Sequence, residues 1–189
     1  MIWMDLKKLS SKAFKCGYCG ESISSEKGYH TDDKKQFIYI CHHCTNPSYL
    51  NPGYNKQYPG VAFGNKIENI PEENIEKLYD ETRQCVSVQA FTSSAMASRK
   101  LLMNIAVQKG AKEGLSFKEY VEYLDAQHYI PPDGKDWVDQ IRQKGNEANH
   151  EIKLMEKEDA EELITFIEML LKFIYEFPSK VKKKQPSQP

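Results

Sequence analysis

Cys16-Gly17-Tyr18-Cys19-Gly20 and Gln36-Phe37-Ile38-Tyr39-Ile40-Cys41-His42-His43-Cys44 are the stretches that decide the fold. Each holds a Cys-x-x-Cys pair, and 21 residues separate Cys19 from Cys41. Thiolate sulfur is a soft ligand that suits zinc, and zinc takes four such ligands in a tetrahedron. Two short turns that each present a pair of thiols supply that set. The expected site is therefore structural Zn2+ held by Cys16, Cys19, Cys41 and Cys44, with no coordination position left for a substrate. His42 and His43 lie inside the second pair; they are read as solvent-facing, with ligand substitution as the alternative. The run Gln36–Ile40 reads as a strand, and Gly20 allows a tight turn after the first pair. Residues 1–45 are thus predicted to form a small zinc ribbon of two strands over 14–44, a module with too little apolar surface to fold without a staple.

Outward from the ribbon, residues 46–69 read as a connector, because Pro47, Pro52, Gly53, Pro59, Gly60 and Gly64 interrupt any pattern. Its aromatic residues Tyr49, Tyr54, Tyr58 and Phe63 are expected to pack against the protein; exposed stacking platforms are the functional alternative. Residues 70–179 read as helical. Helices are predicted over about 71–86, 90–109 and 116–127, from about Lys135 or Asp136 onward, and over about 156–177. The second is rich in small residues, as a central helix must be. The third opens with a capping box, Ser116 and Glu119. The last carries Ala160, Leu163, Ile164, Ile167, Leu170, Leu171 and Ile174 on one face, an acidic first turn that suits the helix dipole, and Pro178 as its stop. Cys85 reads as a small packed residue, with a reactive thiol as the alternative, and Arg99 as the ion-pair partner of an acid, with a substrate contact as the alternative. Residues 180–189 are expected to be a disordered basic tail.

The chain has 189 residues, five cysteines and a net charge of −1. Five cysteines are few for a disulfide framework, and four of them pair as metal ligands do. No run of 18 apolar residues occurs and Met1–Lys15 lacks an apolar core, so neither a membrane span nor a signal peptide is expected. The expected location is the cytoplasm of a bacterium or archaeon. Charge is uneven. Residues 1–60 carry eight lysines and five acids, +3; residues 61–179 carry 14 basic and 22 acidic residues, −8; residues 180–189 carry four lysines, +4. The helical body is thus a poor surface for phosphate backbones, and any nucleic-acid contact is expected at the ribbon or the lysine tail rather than on that body.

The segments Leu78-Tyr79-Asp80-Glu81, Cys85, Ala90-Phe91-Thr92-Ser93-Ser94-Ala95 and Arg99-Lys100-Leu101-Leu102 resemble the core of the 4145 family of domains of unknown function. So does Ile141-Arg142-Gln143-Lys144-Gly145-Asn146-Glu147-Ala148-Asn149-His150, ahead of the acid-led last helix. The resemblance covers roughly residues 68–180. It implies an all-helical domain, often preceded by a cysteine-pair ribbon, with a loose link to restriction-type proteins and phage defence. The helical part is also similar, distantly, to the HEPN superfamily, which implies a mainly α fold: a five-helix HEPN-like bundle behind a small β zinc ribbon.

Many HEPN proteins are metal-independent ribonucleases that use an arginine and a histidine four to six residues apart, completed across a dimer. Here seven residues separate Arg142 from His150. Two readings of Arg142, Asn146 and His150 stand side by side. In the first, Asn146 and His150 tie a helix end to the next loop by hydrogen bonds, and the chain is a non-enzymatic interaction module with nucleic acid, a protein effector or a second copy as partner. In the second, Arg142 and His150 are the catalytic pair of a ribonuclease.

Overall fold

The computed structural model describes residues 2–131, 137 and 154–182. The chain divides into two compact units, Met1–Ala62 and Phe63–Pro189.

The first unit is a five-stranded antiparallel sheet in the order β1-β2-β3-β4-β5, with β1 Lys7–Lys15, β2 Ser22–His30, β3 Phe37–Ile40, β4 Pro47–Asn51 and β5 Lys56–Tyr58. Each strand pairs with its sequence neighbour, as short connections favour. One Cys-x-x-Cys turn joins β1 to β2 and the other joins β3 to β4, so both lie at the same end of the sheet. Apolar packing is thin. Leu9, Tyr39 and Leu50 form one buried cluster, and Cys16, Ile23 and Cys41 form another, with Phe14 touching both. The exposed edge strand β1 carries Lys7, Lys8, Lys12 and Lys15, which discourage pairing with another chain.

The expected two-strand ribbon is therefore too small. Two of the five strands, β4 and β5, run through the stretch read as connector. Pro47 starts β4, where a missing N–H costs least, and Pro52 and Gly53 lie in the single 3-10 turn between β4 and β5.

The second unit holds α1 Glu73–Ser87, α2 Phe91–Gln108, α3 Phe117–Ala126 and α4, which runs from Lys157–Leu171 through the π-helical Lys172–Glu176 into Phe177–Lys182. The five-helix HEPN-like bundle is thus corrected: among the described residues the chain has four helices and a five-stranded sheet. The helix expected from Lys135 lies outside the described residues apart from Trp137, whose ring meets Phe166 edge-on at 5.1 Å. Pro178 does not stop α4. The π turn just before it widens the helix where the proline ring would otherwise crowd a carbonyl, with Phe177 N–H donating to Lys172 C=O. Lys180 and Val181, expected in the tail, belong to this helix.

The central element is α2, which packs on α1, α3 and α4. Ser94, Ala95, Ser98 and Ala106 on it are buried and let its neighbours approach. The capping box of α3 forms as expected: the Glu119 amide donates to Ser116 Oγ at 3.3 Å and the Ser116 amide donates to Glu119 at 2.7 Å.

The segment before α1 is stitched into this unit. Ile67 is buried in the core, Tyr79 donates to the Asn65 carbonyl at 2.9 Å, and Arg83 donates to the carbonyls of Phe63 and Gly64 at 2.8 and 3.0 Å. Glu168 of α4 accepts from the Asn65 backbone N–H and from Asn65 Nδ2, both at 2.8 Å, and is bridged by Lys172. Burial works to raise the Glu168 pKa, but these bonds outweigh it and hold the carboxyl below its ordinary value. A carboxyl lowered in the folded state adds stability that is complete above its unfolded pKa of about 4.3 and lost as pH falls through the folded value. Glu168→Gln should therefore cost about 1.5–3 kcal/mol at pH 7. The gap to wild type should narrow below about pH 4 in urea melts; a gap constant from pH 7 to 3 would show that the carboxylate charge is immaterial.

Candidate metal centre

The two Cys-x-x-Cys turns are built alike. Gly20 N–H donates to Cys16 C=O at 2.9 Å and Cys16 N–H to Glu21 C=O at 2.8 Å; Thr45 N–H donates to Cys41 C=O at 2.8 Å and Cys41 N–H to Asn46 C=O at 2.9 Å. The residue after each pair takes a left-handed conformation, Gly20 at φ 75° and Thr45 at φ 61°. The glycine was legible as a turn residue. The threonine was not, since β-branched residues seldom adopt positive φ.

The turns bring four sulfurs together. All lie within 4.8 Å of one another, with Cys16 to Cys44 at 3.7 Å and Cys19 to Cys41 at 3.8 Å. A tetrahedral metal about 2.3 Å from each sulfur sets its ligands about 3.8 Å apart. A disulfide needs about 2.05 Å. The set therefore has the dimensions of a metal site and could bind a metal ion. Cys16 and Cys41 are buried, Cys19 and Cys44 half-buried, and His42 and His43 face solvent outside the set.

Burial opposes ionisation of these thiols. It pushes Cys19 up to about 12 and raises Cys41. At Cys44 burial is outweighed by the Asn46 amide and the neighbouring thiols, which bring it down to about 7. Asn46 adds a side-chain contact, Nδ2 to Cys44 Sγ at 3.6 Å. Donors of this kind are the outer layer that orients metal ligands and spreads their charge. Sequence spacing did not point to Asn46.

The sequence pattern of the family described as a domain of unknown function (DUF4145) matches residues 80–186, more than half of the chain. The chain belongs to this family. No curated protein and no solved structure matches it. The DUF4145 match lies wholly within the helical unit, so the cysteine module stands in front of it.

Arg142, Asn146 and His150 fall inside the DUF4145 match but outside the described residues. Arg99 is 6% exposed and sets its guanidinium 4.2 Å over the Phe117 ring. Among the described residues it pairs with no acid and its Nη1 has no hydrogen-bond partner, and burial lowers its pKa. Cys85 is half-buried beside Glu81, and burial raises its pKa, which suits an inert packed thiol. Among the described residues, no helix is long and apolar enough to cross a membrane.

Proposed function

We propose that this protein is a non-enzymatic interaction protein whose β unit is stapled by one structural zinc ion. The observation that carries the reading is the closed set of four sulfurs with edges of 3.7 and 3.8 Å. Four thiolates complete a tetrahedron and leave no position for a reacting group, so the ion acts by holding the sheet. The module that it holds is basic, in contrast to the acidic helical unit, which supports nucleic acid as its ligand and fits the link to defence against foreign DNA implied by the family resemblance.

The helical unit serves a protein partner. Its support is an exposed apolar strip on one side of the end of α4, with Phe173, Phe177 and Val181 at 52%, 49% and 62% exposure and four residues apart.

The test is metal content. Protein purified without chelator should hold about one zinc per chain, and cobalt(II) exchanged into it should show the absorption of tetrahedral sulfur coordination. A metal content near zero, or octahedral cobalt, overturns the reading.

A further inference from the structure

The strand register sets four large side chains side by side. Tyr29 of β2 pairs with Ile38 of β3, Ile38 with Tyr49 of β4, and Tyr49 with Tyr58 of β5. Directly paired residues share a face, so these side chains form one row across four strands. The row spans about 14 Å, given a strand spacing of about 4.8 Å. Trp3 extends it, with its ring centroid 6.4 Å from that of Tyr29 and its indole N–H donating to the Thr45 carbonyl at 2.6 Å.

We propose that this row is a stacking platform for single-stranded nucleic acid. The proposal rests on the reading of the β unit as a zinc-stapled interaction module and names its ligand and the residues that bind it. Four observations carry it. First, the row reaches solvent: Tyr58 is 53% exposed and Ile38 36%, and Tyr29 and Tyr49 are half-buried. Second, the rings are set in advance. The Tyr49 hydroxyl donates to Gln36 Oε1 at 2.9 Å and accepts from Asn51 Nδ2 at 3.2 Å, and the Tyr29 hydroxyl donates to the Met4 carbonyl. Rings already held lose little freedom on binding.

Third, the surrounding charge suits phosphate. Lys27, two residues before Tyr29 on β2, and Lys8, paired with Lys27 on β1, are exposed on the face of the row, and among the described residues neither has an acid within salt-bridge distance. Lys56 lies on the same face as Tyr58, two residues before it on β5. Fourth, the length of the row fits two or three bases laid face-on across a sheet, as aromatic sheet surfaces hold unpaired RNA. A duplex hides its base faces within its own stack and offers the rings nothing.

The experiment uses the full-length, zinc-loaded protein and fluorescein-labelled 12-nucleotide oligo-dT, oligo-rU and a 12-base-pair DNA duplex. Anisotropy is read at low and moderate salt, and zinc is measured on each sample. Single strands should bind at least about 10-fold more tightly than the duplex. Tyr58→Ala and Tyr49→Ala should each weaken that binding about 5- to 100-fold, with zinc retained, whereas Tyr58→Phe should leave it unchanged. Lys56→Gln should lower the slope of log affinity against log salt by about 0.7. Zinc-loaded wild type that binds no single strand, binding that survives both alanine changes, or a duplex bound as tightly overturns the proposal and leaves the zinc reading standing. Protein that holds no zinc overturns the reading beneath it.

Discussion

Cys41→Ser should release the metal and unfold the sheet of residues 7–58, while the helical signal of the second unit persists. Cys41 is fully buried, and its sulfur lies 3.8 Å from that of Cys19. A serine hydroxyl does not ionise near neutral pH and is a poor zinc ligand, so the tetrahedron loses one corner. The two small clusters around Tyr39 and Ile23 hold too little apolar surface to compensate. Structural zinc contributes about 10–16 kcal/mol to the folding of peptides that depend on it, more than this sheet has in reserve. Zinc per chain should fall from about one to near zero. Hydrogen exchange should lose protection across β1–β5 and keep it across α1–α4. Protected strand amides in the zinc-free variant would show that the sheet folds by its own packing. Loss of helical ellipticity together with the zinc would show that the division after Ala62 is not a folding boundary.

The cluster of four cysteines was legible because ligand spacing is local. Two Cys-x-x-Cys pairs suggest one shared site whatever the strands between them do. The extent of the sheet was not, for three physical reasons. Leu9 and Phe14 both meet the Tyr39 cluster although they are five residues apart, an odd spacing that a regular strand would send to opposite faces. The irregular register between Lys8 and Lys12 permits it and erases the alternation that marks a strand. Pro47, Pro52 and Gly53 read as breakers, yet Pro47 starts β4 and Pro52 and Gly53 lie in the turn that follows it. The aromatic row is invisible in one dimension, since Tyr29, Ile38, Tyr49 and Tyr58 are nine to eleven residues apart and only the strand register unites them. With the strands placed, the same residues could have been found by counting outward from the two Cys-x-x-Cys turns. The helices were more legible, because the period of α1 to α4 needs no partner to be read. The stop at Pro178 failed because a π turn was not foreseen.

Phe166→Ala is the largest packing loss expected in the helical unit. The face read from the sequence ran from Leu170 round to Ile164 and omitted Phe166. At 100° per residue Phe166 stands about 40° beyond Leu170. It is nonetheless fully buried, as are Ile164, Leu170 and Leu171. The buried arc of α4 is therefore wider than the periodic stripe, as befits a helix that packs against both α1 and α2. The extra arc is where the ring meets Trp137, edge-on at an interplanar angle of 86°. Removing the ring deletes that contact and leaves a cavity that the fixed helices around it cannot fill, at a cost of about 3–5 kcal/mol. Tm should fall by roughly 10 °C. Phe166→Leu, which fills most of the space, should cost about 1–2 kcal/mol. In a Trp3→Phe background the emission of Trp137 reports the local change: it should shift to the red in Phe166→Ala and little in Phe166→Leu. Zinc content should stay at about one per chain in both, since the four cysteines proposed to hold it lie in turns of the other unit. A cost below about 1 kcal/mol for the alanine variant, with unchanged Trp137 emission, would mean that the ring does not close the core beside Trp137.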